Sequence, residues 1–138
     1  MKKLFLLSFS LIALSCYSQS VKKINTITPY ISVPYGFGVE AGHKNNIKKS
    51  KIDYFAGFSA DFGKAASKGS DVLFYAKGVY SVDKFVGLTG VCGIEDLNKF
   101  VLGIGGRLTI PSDAFKIVIE PLWRTNGSRV NVGLSFNL

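Results

Sequence analysis

His43, the only histidine of the chain, is the residue with the most chemistry to offer. Glu40 lies three residues before it and serines are frequent. A serine nucleophile activated by a histidine and a carboxylate can therefore be considered, as in hydrolases that use such a triad. The sequence favours a simpler interpretation, in which His43 is a polar residue at the end of a strand. We expect no catalytic residues and no enzymatic activity.

Two glycine-rich segments, residues 36–38 and 103–107, partly match phosphate-binding loops. Neither segment has the full GxGxxG spacing, and neither opens a predicted helix, which a phosphate site of this kind requires. His43 and Cys92, the one cysteine that we expect in the mature chain, do not supply the ligands of a transition-metal site. We predict no cofactor and no metal, and a structural role for Cys92.

The 138-residue chain is basic, since 17 Lys and Arg against 9 Asp and Glu give a net charge of +8. The basic residues fall between predicted strands or stand singly within them, without a basic helix or an aromatic-interleaved motif. This distribution argues against nucleic-acid binding. It fits side chains that meet anionic lipid head groups or solvent at the rims of a membrane protein.

The first 18 residues predict a cleaved signal peptide. Met1, Lys2 and Lys3 form a positively charged start, and residues 4–14 form the apolar region that follows. Small residues before Gln19 predict cleavage there, and lipoprotein-type cleavage at Cys16 is the alternative. We expect a signal peptide over residues 1–18 and one domain over residues 19–138. No later stretch approaches about 18 apolar residues, so any membrane crossing must use strands.

The rest of the chain alternates apolar residues with small or polar ones, which is the pattern of strands with two different faces. Seven segments show it clearly, and turn-forming residues separate them. They are residues 31–42, 52–62, 72–82, 85–95, 100–110, 115–124 and 129–138. Barrels of a single chain usually have an even number of strands. The apolar parity also changes near Tyr30 and Ile31, which indicates a further short strand or bulged extension within residues 21–30. We predict eight strands.

Glycines decide between a soluble sheet and a membrane barrel. Nine of the fifteen glycines fall on the polar face of the predicted strands. An exposed face of a soluble sheet carries polar side chains rather than glycine, whereas a narrow lumen must be filled by small groups. The fold class is therefore all-β, a single antiparallel up-and-down transmembrane β-barrel of about eight strands. Charges of both signs share the glycine face, and we expect them to pair with one another or with trapped water inside the lumen, as a structural plug or a selectivity filter. They are Glu40, Asp53, Asp61, Lys77, Arg107, Lys116, Glu120, Arg124 and Arg129.

Aromatic residues lie toward the ends of the segments, where the interfacial girdles of membrane barrels belong. They are Tyr30, Tyr35, Tyr54, Tyr80 and Trp123. Phe55 is the one large apolar residue that breaks the alternation of its segment.

The Ser-Gln end of the signal peptide, the glycine-spaced amphipathic strands and the closing residues 130–138 resemble small outer-membrane β-barrel proteins of Gram-negative bacteria, the porin family or outer membrane protein beta-barrel domain. The resemblance implies location in the outer membrane, contact with its lipid, and insertion by the barrel-assembly machinery, which reads a closing strand that ends in an aromatic residue. This chain departs from that pattern, because it ends in Leu138 with Phe136 two residues before it.

The function that we expect is a structural or interaction role for an outer-membrane barrel with a narrow, charge-plugged lumen. A minor channel or small-solute binder is the first alternative. A soluble periplasmic barrel like that of lipocalins is the second, and a lipid A-modifying hydrolase that uses His43 is a remote third. About eight strands enclose a filled interior, which favours the plugged barrel.

Overall fold

A computed structural model of the protein describes residues 25–34, 36–43, 51–62 and 70–138, with Ser70 described by its backbone only. The predicted signal peptide, its cleavage site and residues 19–24 lie outside the described residues. Eight strands follow one another: β1 (Thr26–Val33), β2 (Gly36–His43), β3 (Ile52–Phe62), β4 (Ser70–Ser81), β5 (Val86–Glu95), β6 (Lys99–Pro111), β7 (Lys116–Arg124) and β8 (Arg129–Asn137). Each pairs antiparallel with the next, and the sheet closes into a barrel. The predicted all-β, eight-stranded, up-and-down barrel is confirmed.

Closure depends on the pairing of the first and last strands. Ile27 lies opposite Phe136, and Ile31 lies opposite Val132. The Leu138 N–H donates to the Asn25 carbonyl oxygen at 2.8 Å. We call the end of the barrel that holds Asn25 and Leu138 the terminal end, and the opposite end the far end.

The prediction of one strand over residues 31–42 is wrong, because that range contains the turn between β1 and β2. Ser32 pairs with Gly36 and Ile31 pairs with Phe37 across this turn. Paired residues on the two strands differ by an even number of positions, so the alternation of faces continues through the turn as if the chain were straight. The additional strand expected near residues 21–30 is β1, which reaches Val33.

The outward positions of the eight strands carry no Lys, Arg, Asp or Glu in the described parts of the chain. They carry large apolar side chains that remain exposed, such as Ile104 at 71% and Trp123 at 62%. Cys92 also lies on this face, half-buried, and is a free cysteine. Among the described residues, no helix is long and apolar enough to cross a membrane.

Inward glycines let the strands approach the lumen side chains closely. A Cβ at Gly105 would lie 2.1 Å from the Pro121 carbonyl oxygen, and one at Gly38 would lie 2.4 Å from the Tyr30 phenol oxygen. Outward Gly90, in contrast, has nothing within 4 Å of the position of a Cβ. The inward glycines therefore supply the space that the lumen side chains occupy.

The predicted aromatic girdle is correct only in part. Tyr54, Tyr80 and Trp123 are 51%, 44% and 62% exposed on the outer face. Tyr30 is instead 7% exposed inside the barrel, because it shares the inward parity of Thr28 and Ser32 in β1. Tyr35 lies outside the described residues.

Candidate functional site

The candidate site is the interior of the barrel, where the nine predicted lumen charges occupy inward-facing strand positions. The structure separates them into three groups along the barrel axis. Glu40, Lys77, Arg107 and Glu120 form a group at mid-height that we call the central quartet. Asp61, Arg124 and Arg129 lie toward the far end, and Asp53 and Lys116 lie toward the terminal end.

The central quartet is a closed set of two acids and two bases. The Lys77 ammonium donates to Glu40 and, at 2.8 Å, to Glu120. The Arg107 Nη1 donates to Glu40 at 2.9 Å and to Glu120 at 3.4 Å. The four side chains are at most 7% exposed. Their charges sum to zero, which is the condition under which buried ions can be tolerated.

Phe55 lies beside the central quartet, and this position explains why a large aromatic residue interrupts the small and polar residues on the inward face of β3. It faces inward at 7% exposure. Its ring centroid lies 5.4 Å from the Lys77 ammonium nitrogen and 4.6 Å from the Arg107 guanidinium carbon. A ring face attracts such cations when water is excluded. Phe55 is therefore a partner of the two bases, and Thr89 adds a hydroxyl that donates to Glu120 at 3.3 Å.

An apolar layer lies inside the barrel on the far-end side of the quartet. It consists of Tyr30, Leu73, Tyr75, Val91, Val101 and Leu122. The phenol oxygens of Tyr30 and Tyr75 are 2.9 Å apart, and the Tyr75 hydroxyl donates to Glu40 at 3.2 Å. The apolar layer and the quartet are thus joined into one packed interior.

At the far end, Asp61 accepts hydrogen bonds from Arg124 at 3.4 Å and from the Arg129 Nη2 at 3.1 Å. Glu95 accepts from the Asn126 amide and lies 3.5 Å from the Lys99 ammonium nitrogen. The contacts of Asp61 and the contact between Asn126 and Glu95 join parts of the chain that are distant in sequence, so they tie the far end together, whereas Lys99 is only four residues from Glu95.

One group in the described part of the chain has the composition of a cation site. Asp71, Glu95 and Asp96 place carboxylate oxygens within 4.8 Å of one another. Asp96 already accepts the Val72 N–H at 2.9 Å, and Glu95 has the partners given above. Protein donors therefore already occupy part of this acidic group.

At the terminal end the interior is not filled. A cavity of about 170 Å³, which we call the terminal cavity, extends from the exposed turn at Asp83 and Lys84 down to Arg107. Its wall includes Thr26, Asp53, Ser81, Thr109, Lys116 and Ser135. Asp53 and Lys116, two of the predicted lumen charges, line this cavity rather than join the quartet.

His43 and Glu40 do not come together. Alternate residues of a strand point to opposite faces, so Glu40 is inside the barrel and His43 is on the outer parity at the end of β2. Glu40 is bound to Lys77 and Arg107. The geometry offers no carboxylate–histidine pair at these two positions.

The sequence missed the apolar layer and the partners of the quartet. The sequence nevertheless contained a signal for the apolar layer. Val101 and Val118 lie among the small and charged residues of the polar face, and the segments of β4 and β5 alternate less regularly than the others. Apolar residues that point into the lumen, such as Leu73, Tyr75 and Val91, cause this irregularity, because they interrupt the polar face. Parity assigns a side chain to a face, and only the three-dimensional register shows which side chains meet.

No protein-family model and no curated protein matches the chain. Among solved structures it is similar to the outer membrane protein Ail of Yersinia pestis, determined in a phospholipid bilayer nanodisc. The two are 13% identical, the match covers 83% of this chain and 98% of that chain, and the TM-score is 0.52. A structure from the de novo design of transmembrane β-barrels is 14% identical over 85% of this chain and 98% of its own, with a TM-score of 0.49. The likeness to Ail is one of fold: this chain has the small closed barrel of the outer-membrane type, as the resemblance predicted.

Proposed function

We propose that the protein resides in the outer membrane of a Gram-negative cell as a barrel exported through its signal peptide. The support is the uncharged outer face, which exposes large apolar side chains on all eight strands. Soluble monomers rarely expose a contiguous apolar patch larger than a few hundred Å². In a soluble lipocalin-like barrel this entire apolar face would be in contact with water, which is unfavourable. In a membrane the same face contacts the hydrocarbon of the bilayer.

The lumen of the proposed membrane protein is closed to solutes. The observation that carries this is the packed interior, in which the central quartet and the apolar layer fill consecutive levels of the barrel. An ion passing through would have to separate charge pairs that already satisfy one another and then cross an apolar level. We expect the quartet to act as a plug and not as a selectivity filter.

The role that fits a closed membrane barrel is structural or one of interaction, with outer-membrane lipid as the first partner. Insertion depends on the barrel-assembly machinery. We propose no enzymatic activity, because Glu40 and His43 lie on opposite faces of β2, and no nucleic-acid partner, because the outer face of the described strands carries no charged residue. The described connections between strands are short, which argues against a grip on a large ligand.

Fractionation of cells that express the full chain tests the location. We expect the protein in the membrane fraction after a high-salt wash, with an electrophoretic mobility that changes when the sample is boiled. A periplasmic soluble protein serves as the control. Recovery of folded protein in the soluble fraction without detergent would contradict the membrane assignment.

Conductance across a planar bilayer tests the closed lumen separately from the location. We expect no reproducible open-channel steps from purified, folded protein, and a 16-stranded porin reconstituted in the same way provides the positive control. Reproducible steps that depend on the amount of this protein would establish the channel alternative.

A further inference from the structure

One sector of the outer face, at the terminal end of β3 and β4, combines a lysine with exposed tyrosines. Lys51 directly precedes β3 and is exposed, and its ammonium nitrogen lies 6.0 Å from the centroid of the Tyr80 ring. The Ser81 N–H donates to the Lys51 carbonyl oxygen at 2.7 Å, so the backbone of Lys51 is fixed against the end of β4. Because a ring face attracts an ammonium group at this distance, the Lys51 cation stays beside the outer face.

Tyr54 places a second phenol in this sector. Tyr80 lies opposite Ile52, which is two residues before Tyr54, so the two tyrosines are diagonal neighbours on the outer face. At a membrane boundary a tyrosine keeps its ring in the apolar region and its hydroxyl group at the level of the lipid head groups. One ammonium and two hydroxyl groups can therefore donate hydrogen bonds at the level of the lipid phosphates.

A groove in the outer face begins next to these tyrosines, and we call it the outer groove. Its floor is formed by small residues that pair across β4 and β5, Gly78 with Gly90 and Ala76 with Cys92. A Cβ at Gly90 would have nothing within 4 Å, and one at Gly78 would meet only the Ile52 side chain, at 3.9 Å. Large exposed side chains border this floor, namely Tyr54, Phe74, Tyr80, Leu88 and Ile104. The groove is apolar and opens toward the lipid, which suits a hydrocarbon chain.

Charge decides which head group fits above the groove. The neighbouring turn between β4 and β5 carries Asp83 and Lys84, whose charges cancel, so Lys51 leaves this sector with a positive charge. The segment that leads to Lys51, residues 44–50, adds three lysines and no acidic residue to the composition of this end. Such a surface attracts anionic lipids. A zwitterionic head group brings a cation of its own, which Lys51 repels.

We propose that this sector binds one anionic phospholipid, with its phosphate on the Lys51 ammonium and the hydroxyl groups of Tyr54 and Tyr80, and with the upper part of one acyl chain in the outer groove. A second copy of the barrel fits less well, because the outer face of the described strands carries no acidic residue that could meet Lys51. The inference rests on the proposed membrane location and deepens it, since it distinguishes one bound lipid from the bulk of the bilayer.

The test is a lipid titration of the isotopically labelled protein, folded in phosphatidylcholine nanodiscs in which the fraction of phosphatidylglycerol is raised stepwise. We expect the amide signals of Gly78 and Gly90 to shift along a saturable curve, and those of Ile31 and Leu134, on the opposite side of the barrel, to stay constant. Shifts that are absent, or that rise without saturating, would overturn the proposal. Shifts that appear with two barrels per nanodisc and not with phosphatidylglycerol would also overturn it, because they identify a second copy as the occupant.

Failure of this inference and failure of the proposed function are distinguishable. Protein that folds in the nanodiscs without a saturable response to phosphatidylglycerol overturns this inference alone. Protein that remains soluble and does not enter the nanodiscs overturns both.

Lys51→Met tests the head-group contact. It removes one cation at the membrane surface and should weaken the response to phosphatidylglycerol about fivefold. Lys84→Met is the matched control, because it makes the same change of charge in an exposed turn at the same end. It should weaken the response less than about twofold. Equal weakening by both variants would mean that the lysines attract anionic lipid only in general, and it would exclude a specific site.

Gly90→Leu tests the acyl-chain contact, because it fills the floor of the outer groove from a position where a Cβ meets nothing. It should weaken the saturable response at least about tenfold. Gly106→Leu is the matched control, since Gly106 is an outward glycine of β6 that lies opposite Leu88, outside the floor, and it should retain the response. Heat-modifiable mobility verifies that both variants are folded. Folded Gly90→Leu protein that responds like the unmodified protein would exclude the groove as the site.

Discussion

At the residue scale, the members of the central quartet depend on one another. Lys77 and Arg107 each contact both Glu40 and Glu120. Removal of one base leaves two carboxylates facing a single cation at a buried position, since the quartet side chains are at most 7% exposed. The cost of such a change comes mainly from the charge left behind and only in part from the lost contact.

We expect Lys77→Met to lower the free energy of unfolding by about 3–5 kcal/mol, which is typical when one partner of a buried ion pair is removed. Glu40→Gln added to it restores neutrality, because Glu120 and Arg107 then remain as one pair. The double variant should therefore be more stable than Lys77→Met alone. Urea unfolding in detergent micelles, followed by the fluorescence of Trp123, measures the free energy of unfolding of both variants.

Lys84→Met is the matched control for this prediction, since Lys84 lies in an exposed turn. It should change the free energy of unfolding by less than about 0.5 kcal/mol. If the destabilisations of Glu40→Gln and Lys77→Met simply add in the double variant, the two residues are not coupled and the quartet is not one unit.

At the scale of elements, the strand faces could be predicted from the sequence, and the contents of the lumen could not. The outer parity of β6, with Phe100, Leu102 and Ile104, follows from alternation alone. Tyr30 was assigned to the wrong surface, because an aromatic residue near a segment end suits either a girdle or a packed interior. The turn after Val33 was missed because the pairing register preserves the parity across it.

The difference between inward-facing and outward-facing glycines predicts where a glycine can be replaced by alanine. Gly105→Ala places a Cβ 2.1 Å from the Pro121 carbonyl oxygen, a backbone atom that cannot move away independently. We expect it to lower the free energy of unfolding by about 1–3 kcal/mol, the usual cost of overpacking. Gly90→Ala is the control, because nothing lies within 4 Å of its Cβ position. Equal unfolding midpoints for the two variants would contradict the view that inward glycines make room for the lumen.

The turn between β4 and β5 gives a prediction that depends on pH. Two backbone N–H groups, from Phe85 and Val86, donate to the Asp83 carboxylate and hold the pKa of that carboxyl below its ordinary value. A carboxyl with a lowered folded-state pKa stabilises the fold above its unfolded-state pKa, and this contribution is lost as the pH falls through the folded-state pKa.

Asp83→Asn should therefore be less stable than the unmodified protein near neutral pH, and the difference should shrink toward zero in strong acid. Paired unfolding curves across this pH range measure the difference. A constant difference at every pH would mean that the charge of Asp83 does not matter and that only the shape of the turn does.

At the scale of the whole molecule, the outer face is one continuous apolar surface. On the described strands it carries no charged residue. Ile104 stands near the middle of β6 and is 71% exposed. Ile104→Arg should reduce the stability of the barrel in lipid bilayers by about 2–4 kcal/mol, the cost of a cation at mid-depth. Equilibrium folding into vesicles, scored by heat-modifiable mobility, measures the change.

Leu97→Arg is the control for the outer face, because Leu97 is similarly exposed, at 74%, but lies in the turn between β5 and β6 at the far end. It should fold into vesicles as well as the unmodified protein. Equal folding of the two arginine variants would indicate that the middle of β6 does not contact lipid.

The pairing of β1 with β8 has a consequence for how the chain reaches this structure. The strands that close the barrel are the first and the last, so their contacts join residues at the greatest separation along the chain. Contacts of this kind slow folding, because a long loop must be ordered before they form. Until β8 docks, β1 and β7 present open edges that can pair with other chains. A chain that lacks β8 is therefore expected to remain an open sheet that can pair with other chains, and the docking of β8 onto β1 makes the barrel a single cooperative unit.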